Sequence, residues 1–171
     1  MNHIFPYFSG SKLGRSKFSI ESDYLLVKSR EILFLCQSPY PSKKSIGEMY
    51  CEINGYQVRH QGYTYGQTQG FNDNIHYATN RRYNPNGKYF VIEHSVPRDV
   101  MTEYIRENCR DEHETLDYIL KANHPFIVTK EEDKLLSDGK LKSSMPQGAN
   151  PWDVTARYNA VGIKIVKPWS N

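Results

Sequence analysis

The sequence predicts an α+β fold, with a strand-rich first half and a helical insert before the last strand. Three observations predict it: an Asn-Gly pair between two short segments, an apolar run over residues 89–93, and helix-capping signals concentrated after residue 97. The chain has 171 residues, which suits a single domain spanning residues 1–171 and is enough to bury a core.

The first half contains two predicted elements and one irregular region. Residues 4–8 predict a strand, and Ser22 is placed to cap a short helix that ends near Arg30. Outside its hairpin, the stretch 37–70 is polar and irregular, and residues 63–70 are rich in Tyr, Gln and Gly. This composition is typical of a surface loop, and a lid that contacts a target is the alternative.

A β-hairpin is predicted around Asn54-Gly55, which joins residues 50–53 to residues 56–59. Both central residues of a type I′ turn need positive φ, which Asn and Gly accept readily. We therefore expect positive φ at Gly55.

A second hairpin is predicted where residues 84–87 (NPNG) separate residues 75–79 from the strand 89–93. Both faces of that strand are apolar, with Phe90 and Ile92 on one of them. The pattern favours a central strand buried between two layers, and predicts Ile92 in the core.

Three helices are predicted after this strand. Pro97 suits a first helical position, and Asp111 can cap a second helix. Thr129 and Glu132 form a T-x-x-E capping box, and that helix ends near Gly139. The residues predicted to share the inward faces of the first two helices are Val100, Met101, Tyr104, Ile105, Leu116, Ile119 and Leu120, and the third helix contains Leu135 and Leu136. The last strand is predicted over residues 160–166, where alternate apolar residues share one face.

Composition and charge narrow the class of protein. The formal net charge is +3, which permits an anionic partner without requiring one. The mean hydropathy of −0.70 and the short apolar runs predict no membrane association. Three cysteines without close spacing favour a reducing compartment, and the first residues show no signal-peptide pattern, so we expect a cytoplasmic protein.

Motifs for common chemistries are missing from the sequence. No Cys/His group has the spacing of a zinc site, so no metal is predicted. The nucleotide-binding and serine-hydrolase signatures are absent as well. His60, His76 and His94 lie on or beside predicted strands with arginines close in sequence. Two histidines and a cation can cleave RNA without metal, so a ribonuclease is one interpretation.

Three separated segments together resemble the ADP-ribosyltransferase superfamily, particularly its small toxin-like and rifamycin-modifying members. Residues 7–12 (YFSGSK) lie near the start of the chain, and residues 76–80 (HYATN) precede the strand 89–93 and Val96-Pro97. Near the end, residues 150–153 (NPWD) precede Arg157-Tyr158 and a strand.

The resemblance implies the split two-sheet sandwich of that superfamily, with NAD as co-substrate in the cleft between the sheets. The positions implied for binding NAD are Ser9, Gly10, Ser11, Tyr77, Thr79 and Tyr83, with Tyr77 stacked on the nicotinamide. Asp153, or Gln147 upstream, would stabilise the positive charge that develops on the ribose as the nicotinamide leaves.

The function that the resemblance implies is mono-ADP-ribosylation of a macromolecular target, nucleic acid or protein. Family habit and small size favour a toxin or a phage–host conflict effector, which would have a neutralising antitoxin or immunity protein as partner. The alternatives are the ribonuclease toxin and a noncatalytic module that binds nucleic acid or protein. Nicotinamide release from NAD, shortening of RNA, or neither would separate the three.

Overall fold

The fold is mixed α and β, and the computed structural model describes residues 17–73 and 89–171. The helices of this part are α1 (Lys17–Gln37), α2 (Lys43–His60), α3 (Gln69–Asp73), α4 (Arg98–Asn108), α5 (Glu112–Ala122), α6 (Lys130–Asp138) and α7 (Ala156–Ala160). The strands are β1 (Gly66–Thr68), β2 (Phe90–His94), β3 (Pro125–Thr129) and β4 (Ile165–Lys167).

The described strands form one mixed sheet in the order β2-β3-β1-β4. β3 pairs antiparallel with β2, Ile92 lying opposite Ile127, and parallel with β1, Gly66 lying opposite Phe126. β4 pairs antiparallel with β1 on its other side. β3 thus lies inside the sheet, and both of its faces are largely buried.

Helices α1, α2, α4 and α5 pack around one apolar cluster. Tyr50 and Ile53 from α2 meet Ile32 from α1, Met101 from α4 and Ile119 from α5, all nearly or fully buried. A second cluster lies against the sheet and contains Phe126, Val128, Leu136, Leu141, Tyr158 and Ile163. The segment around β2 and the start of α4 connects the two clusters.

The helices predicted after β2 are confirmed. Pro97 is the N-cap of α4, and the Asp111 carboxylate accepts the backbone N–H groups of His113 and Glu114 at the start of α5. The Thr129–Glu132 capping box is present, and α6 ends at Asp138. One inward assignment is wrong, because Leu120 is exposed.

The hairpin predicted at Asn54-Gly55 is wrong, because both residues lie inside α2. Apolar residues at Ile46, Tyr50 and Ile53 recur at helical spacing and are buried, so packing against α1 and α4 overrides the local turn preference. Gly55 is therefore helical rather than at positive φ. The region 37–70, predicted as irregular, contains this 18-residue helix as well as β1.

Two strand predictions need correction, and one strand was not predicted. The strand near residue 90 is confirmed, but in the described part of the sheet it is outermost, and Ile92 is 55% exposed rather than in the core. The last strand covers Ile165–Lys167 only, because α7 ends at Ala160 and a turn with Gly162 at positive φ follows it. β3 was not predicted, because a five-residue strand buried on both faces shows no alternation.

The first helix also extends further than predicted, from Lys17 to Gln37 rather than to Arg30. The strand predicted over residues 4–8 and the hairpin predicted around residues 84–87 lie outside the described residues.

Candidate functional site

A cleft of about 470 Å³ lies where the helical cluster meets the sheet. α2 contributes Cys51 and Asn54 to its wall, and the end of β2 contributes Glu93 and His94. The start of α4 contributes Arg98 and Asp99, and residues 142–143 contribute Lys142 and Ser143. The remaining lining residues are Tyr65, Ile92 and Pro97. The cleft therefore gathers a thiol, an imidazole and several charged groups from distant parts of the chain.

A cysteine, a histidine and an asparagine stand in line at this cleft. Sγ of Cys51 lies 3.9 Å from Nε2 of His94, and Nδ1 of His94 lies 2.8 Å from Oδ1 of Asn123. Cys51 is exposed, whereas Asn123 is only 2% exposed. The thiol, the imidazole and the amide thus follow one another in the spatial order of a Cys–His–Asn triad.

The hydrogen-bond network fixes the orientation of the Asn123 amide. Nδ2 of Asn123 donates to the backbone oxygen of Tyr50 at 3.2 Å and to Oδ1 of Asn54 at 2.9 Å. A carbonyl oxygen can only accept, so Oδ1 of Asn123 must face His94. Nδ1 of His94 then carries the hydrogen, and in the neutral ring Nε2 has its lone pair towards Cys51.

The imidazole of His94 and the thiol of Cys51 are both uncharged at neutral pH. The pKa of His94 is lowered to about 4, mainly by burial and also by the positive charges of Arg98 and Arg157, while the hydrogen bond to Asn123 opposes the shift. Burial raises the pKa of the Cys51 thiol, with Arg98 opposing. The arrangement therefore suits a neutral imidazole that takes a proton from a neutral thiol as the sulfur reacts, rather than a preformed thiolate–imidazolium pair.

Arg157 of α7 supports the backbone that carries His94. This side chain is fully buried and donates to the His94 carbonyl at 2.7 Å and to Oε1 of Glu93 at 2.8 Å. It also donates to the carbonyls of Leu141 and Lys142, so it joins both walls of the cleft. Burial raises the pKa of Glu93, although the Arg157 charge opposes the shift.

Arg98 is the cation of the cleft that has no carboxylate partner among the described residues. Its guanidinium lies over Gly47 of α2, where a Cβ would be only 2.5 Å from Nη1. Gly47 precedes Cys51 by four residues, so the two positions share one helix face. Arg98 is also close enough to lower the pKa of both Cys51 and His94.

The residues expected from the sequence to bind NAD are not placed by the structure. Ser9, Gly10, Ser11, Tyr77, Thr79 and Tyr83 all lie outside the described residues. Of the two expected catalytic positions, Gln147 is exposed and Asp153 caps the turn before α7, accepting from Thr155 and Ala156. These hydrogen bonds lower the pKa of Asp153, and neither residue lines the described cleft.

Of the three histidines considered for RNA cleavage, the structure places one at the cleft. His94 lines it, His60 packs on Tyr56 at the end of α2, and His76 lies outside the described residues. Sequence reasoning missed Cys51 and Asn123, because 43 residues separate Cys51 from His94 and no local motif contains both. The available signal was the chain order Cys, His, Asn, which is too common to use alone.

Within residues 17–73 and 89–171, no group of three or more His, Cys, Asp or Glu side chains is placed to hold a metal ion. No helix of that part is both long and apolar enough to cross a bilayer. Comparisons with models of known protein families, with curated proteins and with solved structures found no match to this chain.

Proposed function

We propose that the protein is a thiol-dependent acyl hydrolase or acyltransferase, with Cys51 as nucleophile and His94 as general base. The observation that carries the proposal is the alignment of Sγ of Cys51, the His94 ring and Oδ1 of Asn123 at the wall of a cleft. An exposed thiol alone would carry little weight. Here the neighbouring imidazole has its free nitrogen towards the sulfur and its other nitrogen held by a buried amide.

The reaction follows from these positions. Nε2 of His94 takes the thiol proton as Sγ of Cys51 bonds to the carbonyl carbon, whose π electrons move to the oxygen. The resulting tetrahedral intermediate collapses and breaks the bond to the leaving group, which receives the proton from His94. Water, or another acceptor, then attacks the thioester with His94 again as base. The acyl product leaves and the Cys51 thiol is restored.

Two groups act through His94 rather than on substrate. Asn123 selects the tautomer of the ring, because its Oδ1 accepts the hydrogen on Nδ1. Arg157 holds the backbone carbonyl of His94. Both are positioning residues, whose loss should reduce the rate while leaving Cys51 available.

An activated ester tests the proposal directly. With p-nitrophenyl acetate we expect an acetyl group on Cys51 by mass spectrometry and continued turnover, both lost in Cys51→Ala. His94→Gln should lower the acylation rate by about 10²–10⁴-fold, the usual contribution of a general base. His113→Gln, at an exposed position on α5, is the matched control and should behave as the unaltered protein. Equal acylation of Cys51 in folded His94→Gln and unaltered protein would refute the proposal.

The resemblance to ADP-ribosyltransferases supports a second candidate, NAD-dependent mono-ADP-ribosylation of a nucleic acid or protein. What favours it in the structure is the cleft itself, because the cations Arg98 and Lys142 suit a pyrophosphate. In this proposal the split two-sheet sandwich would need a second sheet beyond the four described strands. The toxin role, with a neutralising partner, belongs to the same proposal.

Release of nicotinamide from NAD tests this second candidate. Loss of release in folded Asp153→Ala and Tyr77→Ala would support it, and no release with any nucleic acid or protein target would count against it. Shortening of RNA without cofactor in the same samples would point instead to the ribonuclease.

A further inference from the structure

We infer that the acyl substrate of Cys51 carries a carboxylate, which Arg98 binds one helical turn from the reacting sulfur. This inference rests on the proposed function and specifies the class of substrate at the same cleft. It follows from the place of the Arg98 guanidinium over Gly47, on the helix face that also carries Cys51.

The other charged groups of the cleft are already paired. Glu93 forms an ion pair with Arg157. Nζ of Lys142 lies 3.1 Å from Oδ2 of Asp133, and Oδ2 of Asp99 lies 3.0 Å from Nζ of Lys43. Arg98 has no such partner in the described chain, although it lines the same cleft. Its charge is therefore available to a ligand.

The backbone of α2 sets the distance between the two groups. Positions four apart on a helix are separated by roughly 6 Å along its axis. A substrate whose carboxylate lies one or two bonds from its electrophilic carbon therefore spans from Cys51 to the guanidinium over Gly47. The planar fork of a guanidinium matches the two oxygens of a carboxylate, which favours this anion.

Glycine at position 47 makes room for this arrangement. A side chain there would occupy the space of the guanidinium, since the added Cβ would lie 2.5 Å from Nη1 and 3.3 Å from Cζ. Glycine in a helix interior is less stable than alanine, so Gly47 lowers the stability of α2 at the position that Arg98 covers.

Two alkylating agents of nearly equal size test the inference. Iodoacetate has a carboxylate beside its reactive carbon, and iodoacetamide has a neutral amide there. The measurement is the rate of Cys51 alkylation by each agent, followed by mass spectrometry, with the ratio of the two rates as readout. The other two cysteines, Cys36 and Cys109, are buried, and Cys51→Ala identifies any labelling at those sites.

We expect Arg98→Ala to lower the iodoacetate-to-iodoacetamide ratio by about tenfold, because one nearby charge interaction is lost. Gly47→Ala should lower it in the same direction by displacing the guanidinium. Lys44→Ala is the control, because it also removes one positive charge, from a position on α2 seven residues before Cys51. This lysine is exposed, and its Nζ lies 3.9 Å from Oε1 of Glu48. The ratio should stay within about twofold of that of the unaltered protein.

A ratio that is the same in Arg98→Ala, Lys44→Ala and the unaltered protein would overturn the inference. This outcome is distinct from failure of the proposed function, which the His94→Gln acylation rate reports. A protein that acylates through His94 but shows no anion preference would keep the proposed function and lose the carboxylate.

Discussion

Replacing Arg157 by methionine should destabilise the protein more than an ordinary buried substitution. The Arg157 side chain is 0% exposed and donates to five acceptors, four backbone carbonyls and the Glu93 carboxylate. Methionine has similar length but no donor. The variant would leave the partly buried Glu93 carboxylate and several carbonyls without their donor.

The magnitude follows from these contacts. Removing one partner of a buried ion pair costs about 3–5 kcal/mol. Each carbonyl that stays buried without a donor adds about 1–3 kcal/mol, reduced by local rearrangement. A loss of about 4–8 kcal/mol is comparable with the whole stability of many domains. We therefore expect Arg157→Met to be largely unfolded at 37 °C.

Urea unfolding followed by circular dichroism measures this loss. Arg157→Lys keeps the charge but has fewer donors in a different geometry, so it should lose less stability and stay folded. In that folded variant the acylation rate of Cys51 should fall, because the His94 carbonyl is held less well. A loss below about 1.5 kcal/mol in Arg157→Met would refute the reasoning, since that is the range of a single neutral hydrogen bond.

Three further outcomes concern the sheet and the buried imidazole. Gly66→Ala places a Cβ 2.5 Å from the Phe126 ring and should lower the free energy of unfolding, measured by calorimetry, by about 1–3 kcal/mol. The double variant with Phe126→Leu should regain part of this loss. No loss in Gly66→Ala would contradict the packing. Ile92→Ala should cost less than about 1 kcal/mol because the side chain is exposed, whereas Val128→Ala, fully buried, should cost clearly more. Because the pKa of His94 is low in the folded protein, the unfolded chain binds the proton first as the pH falls. The free energy of unfolding should therefore be highest above pH 6.5 and fall by up to about 3 kcal/mol towards pH 4. Unchanged acid sensitivity in His94→Gln would contradict this.

Local signals predicted the helices of the second half. Asp111, Thr129 and Glu132 act through hydrogen bonds to groups within a few residues, so their roles can be read from spacing. Asn54-Gly55 shows the limit of such signals. The turn preference of these two residues is outweighed by burial of Tyr50 and Ile53, which depends on α1 and α4 and is not visible locally.

The candidate site depends almost wholly on long-range contacts. Cys51 meets His94 across 43 residues, and Asn123 meets Tyr50 across 73 residues. These contacts form because the fold brings α2 next to the end of β2 and the end of α5. Sequence reasoning named His94 as a candidate base, but it had no means of pairing this residue with Cys51.

The dependence of acylation on pH tests the central claim most directly. With p-nitrophenyl acetate, the acylation rate of Cys51 should be nearly constant from about pH 6 to 8, because His94 is neutral throughout this range and accepts the thiol proton. In His94→Gln only the thiolate can react, and burial raises the pKa of Cys51, so the rate should rise about tenfold per pH unit. His113→Gln should retain the flat profile. Profiles of the same slope in His94→Gln and the unaltered protein would contradict a role for His94 as base.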